Sequence, residues 1–204
     1  MLLDLKELVN KYNLNIRGVV QVGAHFGQET QLYSDLGIAN MLFFEPHPDT
    51  FEILKQNVGG KATLIQSALA NYKGVADFFC EQANTGMSNS LLEPGIHLSQ
   101  YPHIQFNNKI QVPVSRLDEF IAFAPIYNFL NLDTQGTELE VLKGGSEFLH
   151  YVDYIMTEVN FDEVYKGCAQ IGELEEFLSK YGFERKEIDY SPLSWGDAFY
   201  IKRK

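Results

Sequence analysis

The chain has 204 residues, 45% of them hydrophobic and 21% charged, which suits one domain with a substantial core and is too apolar for a disordered chain. A formal net charge of −11 argues against nucleic acid as a main partner, because phosphate binding needs a basic footprint. Two cysteines, far apart at Cys80 and Cys168, make neither metal-ligand spacing nor a disulfide framework, and no stretch approaches the ~20 apolar residues that span a bilayer.

In chain order, Leu5, Leu8, Val9 and Tyr12 recur at helical spacing, so residues 1–15 are expected to carry an amphipathic helix. Asp4, Lys6 and Glu7 interrupt any apolar leader, and a soluble cytoplasmic protein is the expectation. GVVQVG (Gly18–Gly23) reads as a buried strand feeding a tight turn, and Gln28–Leu36 as a helix closed by Gly37. MLFFEP (Met41–Pro46) is a second buried strand, followed by a helix from Asp49 to about Val58. Ala62–Leu69 reads as a third strand and Val75–Cys80 as an additional one.

Residues 81–110 show no sustained period and read as an irregular insertion near the acceptor site, since long loops tend to be functional. IQVPVS (Ile110–Ser115) returns to extended structure, with Ser115–Asp118 expected to cap a short helix. Tyr127–Asp133 is the fourth main strand. Thr137–Glu140 fits a capping box for a helix ending at Gly144-Gly145. Asp153–Asn160 is a further strand, and Leu174–Tyr181 a helix stopped by Gly182. Phe183–Ile188 and Asp197–Lys202 supply two final strands. Strands alternating with helices across short joins define one doubly wound α/β domain over residues 1–204, with a mostly parallel sheet.

The segment VVQVGAHFGQET combines a strand, a glycine turn and a helix start. Gly23 turns the chain and brings its backbone close to a ligand, with Gln21 and Ala24 beside it, and Gly27 allows close packing where the helix begins. Glu45, followed by Pro46, lies 45 − 23 = 22 residues on, near the ~20-residue spacing at which an acid meets a ribose diol. The loop Gly-Ala-His-Phe-Gly lacks the central glycine of a dinucleotide site. A donor without a pyrophosphate, S-adenosylmethionine, tolerates the looser loop. Glu45, Ser67, Ala68 and Asp133 all fall at strand ends, where open α/β sheets bind ligands.

These pieces, together with IQSALANYKG, SRLDEF, FLNLDTQGTELEVLKGG and YIMTEVNFDEVYKG, resemble the FkbM family of methyltransferases. The resemblance runs from about Gly18 to the C-terminus. It implies a class I methyltransferase (Rossmann-like) fold, in which a seven-stranded sheet ends with one antiparallel strand. It also implies methyl transfer from S-adenosylmethionine to a hydroxyl oxygen, with sugars and polyketide-type compounds among the acceptors. The family usually has Asp at the position of Gln21 and Asn at that of His25, and its acid near Gln135 is an amide here.

Methyl transfer aligns acceptor oxygen, methyl carbon and sulfur, and a base within reach helps the hydroxyl lose its proton. Asp133 is the first candidate for that base, Glu158 the second and His25 a third. Glu138 and Asn160 could join them in a polar cluster, and the oxygens of Asp133, Glu158 and Asn160 make a candidate Mg2+ set. His47 is expected to flank the adenosine site. His97, Tyr101, His103 and the NTGMSN run (Asn84–Asn89) are candidates for the acceptor pocket, and Trp195 is expected to serve packing. The expected partner is a small-molecule or glycan acceptor, most simply a carbohydrate hydroxyl. Two alternatives remain at this level: a nicotinamide-dependent oxidoreductase on a Rossmann domain, and a non-catalytic binding protein on a methyltransferase fold.

Overall fold

In the computed structural model, which describes residues 2–203, ten strands form two sheets. The strands are β1 (Gly18–Val22), β2 (Asn40–Phe44), β3 (Thr63–Ile65), β4 (Ala68–Leu69) and β5 (Gly74–Cys80), then β6 (Asn108–Ser115), β7 (Phe129–Leu132), β8 (Tyr154–Asn160), β9 (Phe183–Tyr190) and β10 (Trp195–Lys202). The main sheet has the order β3-β2-β1-β7-β8-β10-β9. Pairing is parallel from β3 through β8, and β10, the last strand in the chain, runs antiparallel to both β8 and β9. The small sheet has the order β4-β6-β5.

The central strands are apolar throughout because both of their faces are covered. On one face Val19, Phe43 and Phe129 pack with the helices α1 (Leu5–Tyr12), α2 (Thr30–Asp35) and α3 (Pro48–Val58). On the other, Val20, Leu42 and Leu130 meet the 3₁₀ segments Leu117–Ile126 and Phe148–Tyr151 and the helices Glu138–Gly144 and Ile171–Lys180. The helices of the second half are the short α4 (His97–Gln100), α5 (Glu138–Gly144) and α6 (Ile171–Lys180). Each fully buried Phe, Leu or Val of this kind contributes about 1.5–3 kcal/mol. Asp4 caps α1 by accepting from the backbone N–H groups of Lys6 and Glu7, and Pro48 opens α3, where its missing N–H costs nothing.

The structure departs from the sequence reading in four places. The expected strand Ala62–Leu69 divides after Ile65: Thr63–Ile65 pairs with β2, whereas Ala68–Leu69 pairs with β6. Ser67 sits at the break, its hydroxyl 2.8 Å from the Ala68 carbonyl. Residues 81–110 are not wholly irregular, since α4 and the first residues of β6 lie within them. Ser115 ends β6 and caps nothing, while Asp118 accepts from the backbone of Glu147 and Phe148, tying two distant segments. Thr137 makes no capping bond; instead the Glu138 carboxylate turns back to accept from Thr134 N, Thr134 Oγ1 and Gly136 N. A capping box does form at α6, where Glu173 accepts from Gln170 N. Among the described residues, no helix is long and apolar enough to cross a membrane.

Candidate active site

The parallel strands β1, β2 and β7 deliver Gly23, Glu45 and Asp133 to one sheet edge. The Gly23 and Ala24 amides both donate to the Phe44 carbonyl, and the Asp133 amide donates to the Val22 carbonyl. Gly23 has φ +79°, and a Cβ there would fall on the Asp133 carbonyl oxygen, so no other residue fits the junction. Gly27, at φ +77°, packs against Leu54 and Val58 of α3, where a Cβ would come within 2.8 and 2.9 Å.

A first cavity opens at this edge. Gln21, Gly23, Ala24, Glu45, Pro46, Ser67, Ala68 and Asp133 all line it, and Gly27 lies beneath the loop. The Glu45 carboxylate is buried, with Oε2 accepting from His25 N (2.9 Å) and Oε1 from His47 N (2.8 Å). Burial pushes its pKa up to about 7 against the pull of those two N–H groups. Each oxygen retains a lone pair for a hydroxyl. His47 caps α3 through Nδ1, 3.4 Å from Thr50 N, and burial lowers its pKa.

Gln21 is itself a hub. Its Nε2 donates to Glu29 Oε2 (2.9 Å), its Oε1 accepts from Tyr33 Oη (2.9 Å), and Tyr33 accepts from Asn131 Nδ2 (2.7 Å). Glu29 lines the cavity, so a carboxylate stands one hydrogen bond away from the neutral Gln21. Asn131 lines it too, and its buried Oδ1 has no partner. The residues thus fit an adenosyl donor: a diol-sized acceptor at Glu45, a second acid at Glu29, an unmatched amide oxygen at Asn131 and a close backbone at Gly23. Sequence reading missed Glu29 and Asn131. The signal for Asn131 was present, a polar residue inside the apolar run FLNL.

A second cavity, about 350 Å³, adjoins the first and shares Asp133, Gln135 and Met87 with it. Glu158, His97, Tyr101, His103 and Trp195 also line it. Trp195 begins β10 and donates its Nε1 proton to Tyr101 Oη (2.9 Å), so it joins the cavity wall as well as packing. Gln135 Nε2 donates to Asp133 Oδ1 (2.8 Å) and to Glu158 Oε2 (2.9 Å). Tyr165 Oη lies 2.8 Å from Gln135 Oε1, and the Gln135 carbonyl accepts from Ser90 Oγ. These bonds hold Gln135 in the left-handed region at φ +56°, a strain of about 1–3 kcal/mol. Burial raises the carboxyl pKa values of both Asp133 and Glu158, and the neighbouring Asp133 charge helps lift Glu158 well above the carboxylate range. The two carboxyls share the Gln135 amide and titrate as a pair.

The candidate Mg2+ set of Asp133, Glu158 and Asn160 draws no support from this arrangement. Among the described residues no three His, Cys, Asp or Glu side chains gather as metal ligands. The Gln135 amide occupies the space between Asp133 and Glu158 with N–H donors, and the side-chain atoms of Asn160 are buried without partners. The donor set does not fit a cation. The His25 ring is engaged at both nitrogens, Nε2 2.9 Å from the Thr85 carbonyl and Nδ1 2.8 Å from Gln28 Nε2. With Gln28 donating to Nδ1, Nε2 carries the proton and donates to Thr85. The ring bolts the glycine loop to the insertion.

The sheet order with its reversed last strand, and a cleft at the carboxyl ends of β1, β2 and β7, define a class I S-adenosylmethionine-dependent methyltransferase. The family model described as the methyltransferase FkbM domain matches residues 21–185, and the chain belongs to that family. Among solved structures the fold is shared with a putative S-adenosylmethionine-dependent methyltransferase from Listeria monocytogenes, at TM-score 0.55 and 10% identity, covering 95% of this chain and 96% of that one. It is also shared with Streptococcus pneumoniae Sp1610 in complex with S-adenosyl-L-methionine, at TM-score 0.53 and 13% identity, covering 100% and 75%. Two curated relatives are similar in sequence. The 2-O-methyltransferase NoeI of Sinorhizobium fredii is 27% identical over 80% of this chain and 71% of its own length. The hexuronic acid methyltransferase AglP of Haloferax volcanii is 26% identical over 68% of this chain, and the match spans only 54% of AglP.

Proposed function

We propose that this methyltransferase is an O-methyltransferase acting on a carbohydrate hydroxyl, with Asp133 as the base. The observation that carries the reading is the position of Asp133 at the seam of the two cavities, lining both. S-adenosylmethionine, when bound, supplies a sulfonium-activated methyl group. Glu45 would accept the ribose hydroxyls of the donor, Gly23 and Ala24 would let the backbone approach it, and Ser67, Ala68, Pro46, Glu29, Gln21 and Asn131 would complete its binding site. Asp133 accepts the acceptor's hydroxyl proton. Gln135, donating to it, keeps its oxygen aimed, and Glu158, held by the same amide, offers a second carboxyl to a sugar hydroxyl. His25 is assigned a positioning part, because neither of its ring nitrogens is free. The NoeI and AglP likenesses support a sugar acceptor.

The test combines calorimetry with labelled methyl transfer. Asp133→Asn is expected to keep donor affinity within about threefold while transfer to sugar hydroxyls falls by roughly 10²–10⁴, the usual worth of a positioned base. Unchanged transfer in that variant removes Asp133 from the chemistry. Label recovered on nitrogen or carbon rather than in an ether removes the O-methyl reading.

A further inference from the structure

The second cavity is asymmetric in charge. Two carboxyls, Asp133 and Glu158, line it, and among the described residues no Lys or Arg does. Its potential cations are two histidines. Burial lowers the His97 pKa and keeps that ring neutral, and His103 lies at the exposed rim. One wall is aromatic: Trp195 and Tyr101 are joined by their hydrogen bond, and the His97 and Tyr101 rings lie 4.9 Å apart. His97 is buried at 3% exposure, and its Nδ1 has no partner within the protein. A carbon-rich sugar face suits the aromatic wall, and hydroxyls suit the two carboxyls and the unmatched imidazole nitrogen. A second carboxylate does not suit such a site, because a like charge in a partly desolvated cavity has no counter-ion.

We infer that the acceptor is an uncharged pyranose, and that the base Asp133, facing a pocket lined by no described Lys or Arg, rejects uronic acids. This rests on the carbohydrate reading above and narrows it. It also sets the chain apart from the hexuronic acid acceptor named for AglP. Selectivity here works by exclusion: the pocket has few attractive groups to tell sugars apart, but an uncompensated carboxylate repels one class outright.

The experiment uses the full chain, labelled S-adenosylmethionine and matched acceptor pairs, methyl glucoside with methyl glucuronide and methyl galactoside with methyl galacturonide. Hydrolysates of one neutral and one acidic polysaccharide are added, and donor binding is measured on the same sample. Label is expected in neutral sugars with at least about a hundredfold preference over the matching uronates, the size of an unpaired-charge penalty. His103→Arg, which puts a cation at the rim, is expected to move the ratio of uronate to neutral labelling about threefold toward the uronate, and an unchanged ratio counts against exclusion by charge. Uronates labelled as well as their neutral partners overturn the exclusion and leave the carbohydrate reading standing. Silence toward every sugar from a protein that binds the donor overturns the carbohydrate reading and this inference with it.

Discussion

Gln21 stands where the family resemblance leads one to expect an acid, yet the cavity wall beside it is not neutral. Glu29 lies within hydrogen-bond distance of the Gln21 amide and presents its carboxylate to the same space. Restoring the family's residue is therefore expected to harm this chain. Gln21→Asp would set two carboxylates side by side and cut the Tyr33 contact, and donor affinity by calorimetry is expected to fall about tenfold. Glu29→Gln is expected to weaken donor binding by a similar factor with little change in Tm, because Glu29 is only partly buried. An affinity gain in Gln21→Asp would show that the acid beside the donor belongs on β1 after all.

The element that joins the two cavities is the segment after β5. Glu81, almost fully buried, accepts from Asn84 N at 2.6 Å and Gly86 N at 2.7 Å, and Asn89 Oδ1 accepts from Glu81 N. Further along, Gly95 and His97 donate to the Val164 carbonyl, so the insertion is laced to the loop after β8. Met87 thereby sits over the seam. Glu81→Ala strips acceptors from buried N–H groups, at a cost of about 1–3 kcal/mol, spent locally. Amide exchange over residues 84–88 is expected to accelerate and the acceptor KM to rise about tenfold, with Tm moving by only a few degrees. A global loss of protection across β1 and β7 would contradict this local account.

At the scale of the molecule, the buried carboxyls set an unusual pH dependence. Burial raises the pKa of Glu138 to about 6 and that of Glu45 to about 7, from an ordinary 4.5. Between the unfolded and folded pKa values the native state binds more protons than the unfolded chain. Stability is thus fully present below about pH 4.5 for these groups and declines as pH rises through 6 and 7. The two shifts correspond to roughly 2 and 3 kcal/mol. Partly exposed Glu184 and Glu187, held below the usual range by Lys186 and Lys11, act the opposite way in acid. A Tm maximum near about pH 5, with a decline toward about pH 8, is expected from calorimetric scans. The decline should shrink in saturating S-adenosylhomocysteine, whose ribose hydroxyls would favour ionised Glu45. A Tm that climbs from about pH 5 to pH 8 contradicts the assignment.

Periodicity and glycine placement were enough to read the strands β1, β2, β7 and β8 and the edge they share, because each is a short apolar run whose register leaves one polar residue at its end. That local rule also brought out Gly23, Glu45 and Asp133 as neighbours. The branching of residues 62–69 between two sheets was not legible, because a strand's partner is set by what lies beside it, here β6, more than 40 residues further along the chain. The same holds for Glu29 at the cavity wall, for the amide of Gln135 placed between two acids, and for Trp195 meeting Tyr101. Sequence determined which residues reach the sheet's carboxyl edge, since that depends on neighbours along the chain. Only tertiary packing decided which of them touch, which keep their protons and what lines the second cavity, since burial and long-range contact are properties of the folded whole.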